Sequence, residues 1–398
     1  MPNVVAVISE YNPFHNGHLY QIQKIKERFP DAVIISIMSG NLVQRGEISI
    51  FSKYDRAEIA VLSGVDAVFE LPSVYSNAPA NIFAFCAVSI MQKLSGVDYI
   101  CFGSECGDLE LLDFAAEKIT GDDFSLKLSK KIKTDKNKSY PSNLHSLFCE
   151  LYGEEKGSVL LGSNDILAIE YLKAIKKLNA NITPFTIKRK GASFNSESFD
   201  KTAVSAAYIR KFIREKTDFE SLKELMPKAA YEIALELIKN KKFTDIENLS
   251  SAIISHFYRL GAAEFAKIAE VGGGMEHRIK KALDDCFEPS SLVKKLCAKH
   301  STPSAIRRMV LNAFFGITKE MRATPPDFTT ILALNQKGAD FIGSIRKKAK
   351  IAIITKPADI KGNEIFDKNC FIDNICKLAL WNKDSQKNEI KQKPHLIN

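Results

Sequence analysis

NVVAVIS at residues 3–9 runs directly into EYNPFHNGH at residues 10–18. The first stretch is short and apolar, β-branched at Val4, Val5, Val7 and Ile8, which is the pattern of a buried strand in a parallel sheet. From His18 to Phe29 the residues Leu19, Ile22, Ile25 and Phe29 recur at helical spacing, so the strand feeds a helix through His15-Asn16-Gly17-His18. Such a loop leaves the carboxyl end of a strand, where open α/β sheets bind ligands. It enters a helix N-terminus, where free N–H groups and the helix dipole favour anions. Gly17 leaves room for close backbone approach, and the flanking imidazoles can donate to phosphate oxygens as charge develops. Two histidines at this spacing would also suit a metal or a core; their position after the first strand favours the phosphate.

The same alternation continues outward. Residues 31–38 (DAVIISIM) predict a second strand, 55–63 a helix, 65–71 a strand stopped by Pro72, 81–94 an apolar helix and 99–102 a strand before Gly103. Further on, 164–178 reads as a helix, 182–187 as a strand and 203–214 as a helix. This repetition predicts an α/β fold, a doubly wound Rossmann-like parallel sheet with right-handed crossovers. Lys127, Lys130, Lys131, Lys133, Lys136 and Lys138 crowd residues 121–140, a solvated helix or connection, with a cover over a phosphate or RNA site as the alternative. A boundary near Thr217 divides a catalytic unit, 1–216, from a mainly helical unit, 217–398. In the second unit, helices are expected over 220–239, 249–266, 278–285 and 303–315, a strand over 351–354, and a polar tail from Asn382.

Composition narrows the classes. A chain of 398 residues, 45% hydrophobic and 26% charged, has the length for two domains and the balance of a globular protein. Lysine and arginine exceed aspartate and glutamate by 56 to 47, a formal charge of +9 that suits a polyanionic partner. The eight cysteines form no C-x-x-C pair, which argues against a zinc ribbon or redox dithiol and for reduced thiols in a cytoplasmic protein. No dedicated set of metal ligands stands out. Met1 to Asn12 lacks a basic leader segment, and no apolar run reaches the roughly 18 residues that span a bilayer. There is no G-x-x-x-x-G-K-[ST] and no G-x-G-x-x-G after the first strand; Gly272-Gly273-Gly274 reads as a loop.

A second constellation, VSAAYIR at residues 204–210, opens the last helix of the first unit. Ser205 can cap that helix and bind a phosphate oxygen, and Arg210 lies one turn on, placed to offer its planar fork to a β- or γ-phosphate. An HxGH loop joined to such a late segment resembles the nucleotidyltransferase superfamily of class I aminoacyl-tRNA synthetases and pantothenate synthetase. The late segment resembles I-S-S-T-x-I-R, with Ala206 and Ala207 in place of two hydroxyl residues.

The resemblance then narrows. EYNPFHNGHLY (10–20), MSGNLVQRGE (38–47), FELPSVY (69–75), FGSE (102–105), SNDILAIEYL (163–172), IKRKG (187–191), GMEHRIKK (274–281) and ALNQKG (333–338) resemble the bacterial tRNA(Met) cytidine acetate ligase family. That family is described as using ATP and acetate to acetylate N4 of the wobble cytidine of elongator tRNA(Met). The resemblance implies an ATP loop of Val7, Ile8, Ser9, Glu10, Tyr11, Asn12, Pro13, Phe14, His15, Asn16, Gly17, His18, Leu19 and Tyr20. Gly103, Asn164, Arg189 and Ser205 would complete the nucleotide site, His15, His18 and Arg210 would stabilise the reacting phosphate, and Mg2+ would accompany ATP. Arg45 would hold the acetate carboxylate or a tRNA phosphate, a loop salt bridge being the alternative. Arg278, Lys281 and Arg307, amid Lys280, Lys294, Lys295, Lys299 and Arg308, would meet tRNA. A small-molecule adenylyltransferase and a non-catalytic RNA-binding protein stay as competing readings.

Overall fold

The computed structural model describes residues 2–135, 137–189, 205–215, 218–272, 274–297, 301–356, 360, 362–382 and 393–397. Five strands, β1 (Val4–Ser9), β2 (Val33–Ser39), β3 (Ala67–Leu71), β4 (Tyr99–Ser104) and β5 (Thr183–Lys188), lie parallel in the order β3-β2-β1-β4-β5. The register places Val7 between Ser36 of β2 and Cys101 of β4. β1 reads as unbroken hydrophobicity because both of its faces are covered: Val4 and Ala6 enter one core, Val5 and Val7 the other. The strand order reverses between β1 and β4, so a crevice opens there above the carboxyl ends.

Helices cover both faces. α1 (Asn16–Arg28) and α2 (Lys53–Leu62) bury Ile22, Ile25, Ala57 and Ile59 in the core that holds Val5. α3 (Ala80–Leu94) and α4 (Ser163–Leu178) pack on the opposite face through Phe83, Ala87, Ala168 and Leu172. α5 (Ala206–Glu215) returns to the first face with Ile209 and Ile213. The lysine-rich stretch forms a helix, Asp122–Thr134, that buries Phe124 and Leu128 and turns its lysines outward. Lys136 lies outside the described residues, as do Val204, Thr217, Gly273 and Lys299.

The second half is helical as expected, with two of its helices broken. Residues 220–239 divide at Pro227, which has no N–H to continue a helix, into a short turn at Glu220–Glu224 and a helix at Lys228–Lys239. Residues 249–266 divide at Leu260–Gly261 into Ser250–Arg259 and Ala262–Lys267. The expected helix at 303–315 is α6 (Pro303–Phe315), capped by Thr302. The chain then returns to the sheet. β6 (Phe328–Leu334) pairs antiparallel with β3, and β7 (Ala352–Ile354) and β8 (His395–Leu396) pair parallel with β6, so that this sheet has eight strands among the described residues. The FTTILAL run of β6 has the apolar, β-branched character of β1, and only its distance from the first five strands hides its membership.

α7 (Glu364–Cys376) closes over the same edge through a buried ionic cluster. Lys53 Nζ stands 2.9 Å from Glu70 and 2.6 Å from Asp373. Asn41 donates to Asp373 and Asn369 to Glu70, each at 2.9 Å. Asn41 and Glu70 belong to two of the family-like segments, and here they bind the sheet to the end of the chain. No helix among the described residues is long and apolar enough to cross a membrane.

Candidate functional site

The site forms where β1 ends. His15 is the N-cap of α1, in extended conformation, and its Nδ1 accepts the Gly17 N–H at 3.0 Å. His18, one turn on, returns the bond: its Nδ1 accepts the His15 N–H at 3.1 Å. This is a capping box built of imidazoles, with the rings 3.8 Å apart at 30°. Both Nδ1 lone pairs are engaged, so each neutral ring carries its proton on Nε2. Burial, with a smaller contribution from Arg189, lowers His15 to a pKa of about 3. Burial, then His15 and Arg189, hold His18 well below the ordinary value. The pair therefore offers two neutral N–H donors at a helix N-terminus, not two cations. Gly17 is required from within: a Cβ there would lie 2.8 Å from His15 Cε1.

A cavity of about 190 Å³ opens between these rings and the ends of β1 and β4. Ile8 and Ser9 line it from the end of β1, Glu10 and His15 from the loop that follows, His18 from α1, Gln44 and Arg45 from the segment after β2, and Gly103, Asn164, Arg189 and Ser205 from the remaining walls. A smaller recess of about 130 Å³ continues past His18 and Gly103, bounded by Asn16, Gly17, Tyr20, Ile187 and Arg189. Near the carboxyl end of β4 the Arg189 side chain lies over Gly103, where an added Cβ would approach its Cγ to 3.2 Å. Asn164 lies in the first turn of α4, whose N-cap is Gly162. Its Nδ2 donates to Glu105 Oε1 at 2.7 Å, the Asp165 N–H donates to Glu105 Oε2 at 2.8 Å, and Asp165 Oδ1 accepts the Glu105 N–H at 2.7 Å. Burial raises the Glu105 carboxyl, but the bonds donated by Asn164 and Asp165 outweigh it and hold the group below its usual range. Ser205 caps α5, its Oγ accepting the Tyr208 N–H at 3.2 Å.

Several predicted residues stand elsewhere. Arg210 is not among the lining residues. Its guanidinium donates to the Asn12 carbonyl at 2.8 Å and pairs with Glu47 at 2.7 Å, tying the first loop to the hairpin Leu42–Val43/Glu47–Ile48 rather than pointing its fork into the cavity. Of the implied ATP loop, Val7, Tyr11 and Phe14 are core residues, and Asn12 accepts the Ile50 N–H at 2.7 Å. Pro13 and Leu19 also lie off the lining. Arg307 donates to the Arg45 carbonyl at 3.1 Å, and the buried Arg308 pairs with Glu270 at 2.8 Å, so both brace the hairpin from α6. Gly46, at φ 75°, lets that hairpin lie against the α6 backbone. Arg278 and Lys281 are exposed on the helix Met275–Ala282, away from the cavity lining.

The sequence reading passed over Gln21, Phe83, Phe102, Leu167 and Tyr171, which line the cavity from four elements. It also passed over Arg56, a fully buried guanidinium that donates to the carbonyls of Ser39 at 3.1 Å, Gly40 at 2.6 Å and Phe51 at 3.2 Å, and to that of Glu10. Arg56 thereby holds the loops after β1 and β2 together. Burial lowers its pKa to about 10, which leaves it cationic at neutral pH. The only sequence signal for Arg56 is a charged residue on the apolar face of α2.

A crevice lined by Arg45 and Arg189 at the switch point of a doubly wound sheet, with a histidine-capped helix beside it, is the arrangement of a nucleotidyltransferase. The chain belongs to the HIGH Nucleotidyl Transferase family, whose model matches residues 2–393. Within it, the chain groups with the tRNA(Met) cytidine acetate ligases. That of Clostridium tetani is 34% identical over 368 residues, covering 89% of this chain and 90% of the relative. That of Acetivibrio thermocellus is 33% identical over 388 residues, covering 95% and 92%. The crystal structure of apo Thermotoga maritima TmcAL matches with a TM-score of 0.91 at 30% identity over 99% of both chains, and the form bound with alpha-thio ATP with a TM-score of 0.89.

Proposed function

We propose that this protein is an ATP-dependent ligase that activates acetate as acetyl-adenylate and transfers the acetyl group to N4 of the wobble cytidine of elongator tRNA(Met). The observation that carries this reading is the His15/His18 capping box in the lining of the crevice. Its neutral Nε2–H donors and the α1 N-terminus suit a phosphate on which charge builds up, without a strongly bound cation to trap the product. Arg189, Asn164 and Gly103 suit the nucleoside side of ATP, with the smaller recess beside them. Ser205 suits a phosphate oxygen at the start of α5. Arg45, across the cavity, suits the acetate carboxylate, which would attack the α-phosphorus and expel pyrophosphate. Arg210 supports this site through Asn12 and Glu47.

Mg2+ would enter with ATP. Glu10 is the one carboxylate among the lining residues described, so the ion would be held chiefly by the triphosphate. The mainly helical half, 217–398, with Arg278, Lys281 and Arg307, is the proposed tRNA-binding unit, and its strands β6 to β8 join the sheet of the catalytic half. The cytidine would leave the anticodon stack to reach the crevice. Such a tRNA substrate would be met in the cytoplasm.

Incubation with ATP, labelled acetate and unmodified tRNA tests the reading. Label is expected in RNA, dependent on ATP. Pyrophosphate release without labelled RNA would instead support a small-molecule adenylyltransferase.

A further inference from the structure

Adenylation leaves Glu10, the one carboxylate among the lining residues described, without a task. Glu10 stands at the end of β1, on the side of the cavity formed by Gln44 and Arg45, opposite the Gly103–Arg189 wall. Its Oε1 accepts the Gln44 N–H at 2.9 Å, which fixes the carboxylate by one oxygen and leaves Oε2 to accept from a substrate. Arg45 and Glu47 of the hairpin, Arg210 of α5, Arg56 of α2 and Tyr171 of α4 are the charged and titratable groups around it.

The second half-reaction needs a base. The exocyclic amine of cytosine is conjugated with its ring and is a weak nucleophile, and it must lose a proton to become a neutral amide. Resting on the ligase reading above, we infer that Glu10 is the general base of acetyl transfer. N4 forms a bond to the acetyl carbon, and the bond from that carbon to the adenylate oxygen breaks. AMP leaves with the electron pair, and the N4 proton passes to Glu10 Oε2 and then to solvent. Burial raises the Glu10 pKa against the opposing pull of Arg45 and Arg210, which makes the carboxylate a stronger base than a solvated one.

Glu10→Gln tests this, because its amide oxygen still accepts the Gln44 N–H and spares the positioning role. The variant is expected to keep acetate-dependent ATP–pyrophosphate exchange within about tenfold of the unsubstituted protein. Single-turnover transfer from preformed adenylate to tRNA should fall by about 100-fold or more. In the unsubstituted protein, transfer should decline as pH falls through the Glu10 pKa; in Glu10→Gln that decline should vanish, and Glu10→Asp should restore it. Transfer at the unsubstituted rate, or equal loss of exchange and transfer, would overturn the assignment. Exchange by the unsubstituted protein without any acetyl-RNA would overturn both the assignment and the ligase reading.

Discussion

His15 and His18 do two jobs with the two nitrogens of each ring. Nδ1 closes the helix N-terminus and Nε2 is left for the ligand, so the same bonds that shape the loop select the tautomer. Removal of the His18 ring takes away one donor and opens the capping box. His18→Ala is therefore expected to lower ATP–pyrophosphate exchange by about 100- to 1000-fold, the range for loss of a donor to a developing charge. tRNA binding, measured by filter retention, should be unaffected; exchange within a few-fold of normal would exclude the proposed role. Protonation gives a second prediction. The folded pKa of His15, about 3, lies below the ordinary imidazole value of about 6.5. Its contribution to stability is full above pH 6.5 and is lost as pH falls from there towards 3, because the unfolded chain takes up a proton that the folded chain refuses. His15→Asn keeps a side-chain acceptor at the N-cap but does not titrate. In urea unfolding, the stability of the unsubstituted protein relative to His15→Asn should decline between pH 7.5 and 5, and a constant difference would contradict a buried neutral imidazole.

Among the elements, the hairpin between β2 and α2 links the two halves of the chain. It carries Gln44 and Arg45 to the cavity, and Arg307 and Arg308 of α6 brace it from behind. Gly46 is the joint, with a positive φ and no space for a Cβ beside the α6 backbone. Gly46→Ala is expected to displace Arg45, raising the KM for acetate at least tenfold while ATP affinity, measured by nucleotide titration, changes by less than threefold. An equal rise in both would show that the hairpin serves the whole crevice. The sequence marked this segment as rich in glycine and donors, which is what made its loop visible. It did not show that Asn41 faces a buried ionic cluster, Arg45 the cavity and Glu47 the Arg210 guanidinium, since three directions within seven residues are set by what packs on each side.

On the scale of the molecule, the C-terminal half both carries the basic helices and completes the sheet. The Lys53–Glu70–Asp373 cluster, buried from solvent, holds α7 to β3 and α2. Lys53→Met would leave two carboxylates buried without their cation, at a cost of about 3–5 kcal/mol. Urea unfolding should show a loss of that size; a change below about 1 kcal/mol would mean that the cluster is solvated. Because α7 also braces β3 and, through Asn41, the hairpin, the variant should lose activity at lower urea concentrations than the unsubstituted protein.

The sequence by itself determined the parallel sheet, the histidine loop at its switch point and the family. Those properties rest on local periodicity, on one strand–loop–helix junction and on runs of residues that are legible in a line. Only the tertiary structure decided that Arg210 and Arg307 brace loops while Glu10 and Arg45 face the cavity, and that β6 to β8 complete the sheet of the first half. A charged side chain takes its role from the partner that compensates its burial, and here those partners lie from 34 to more than 300 residues away.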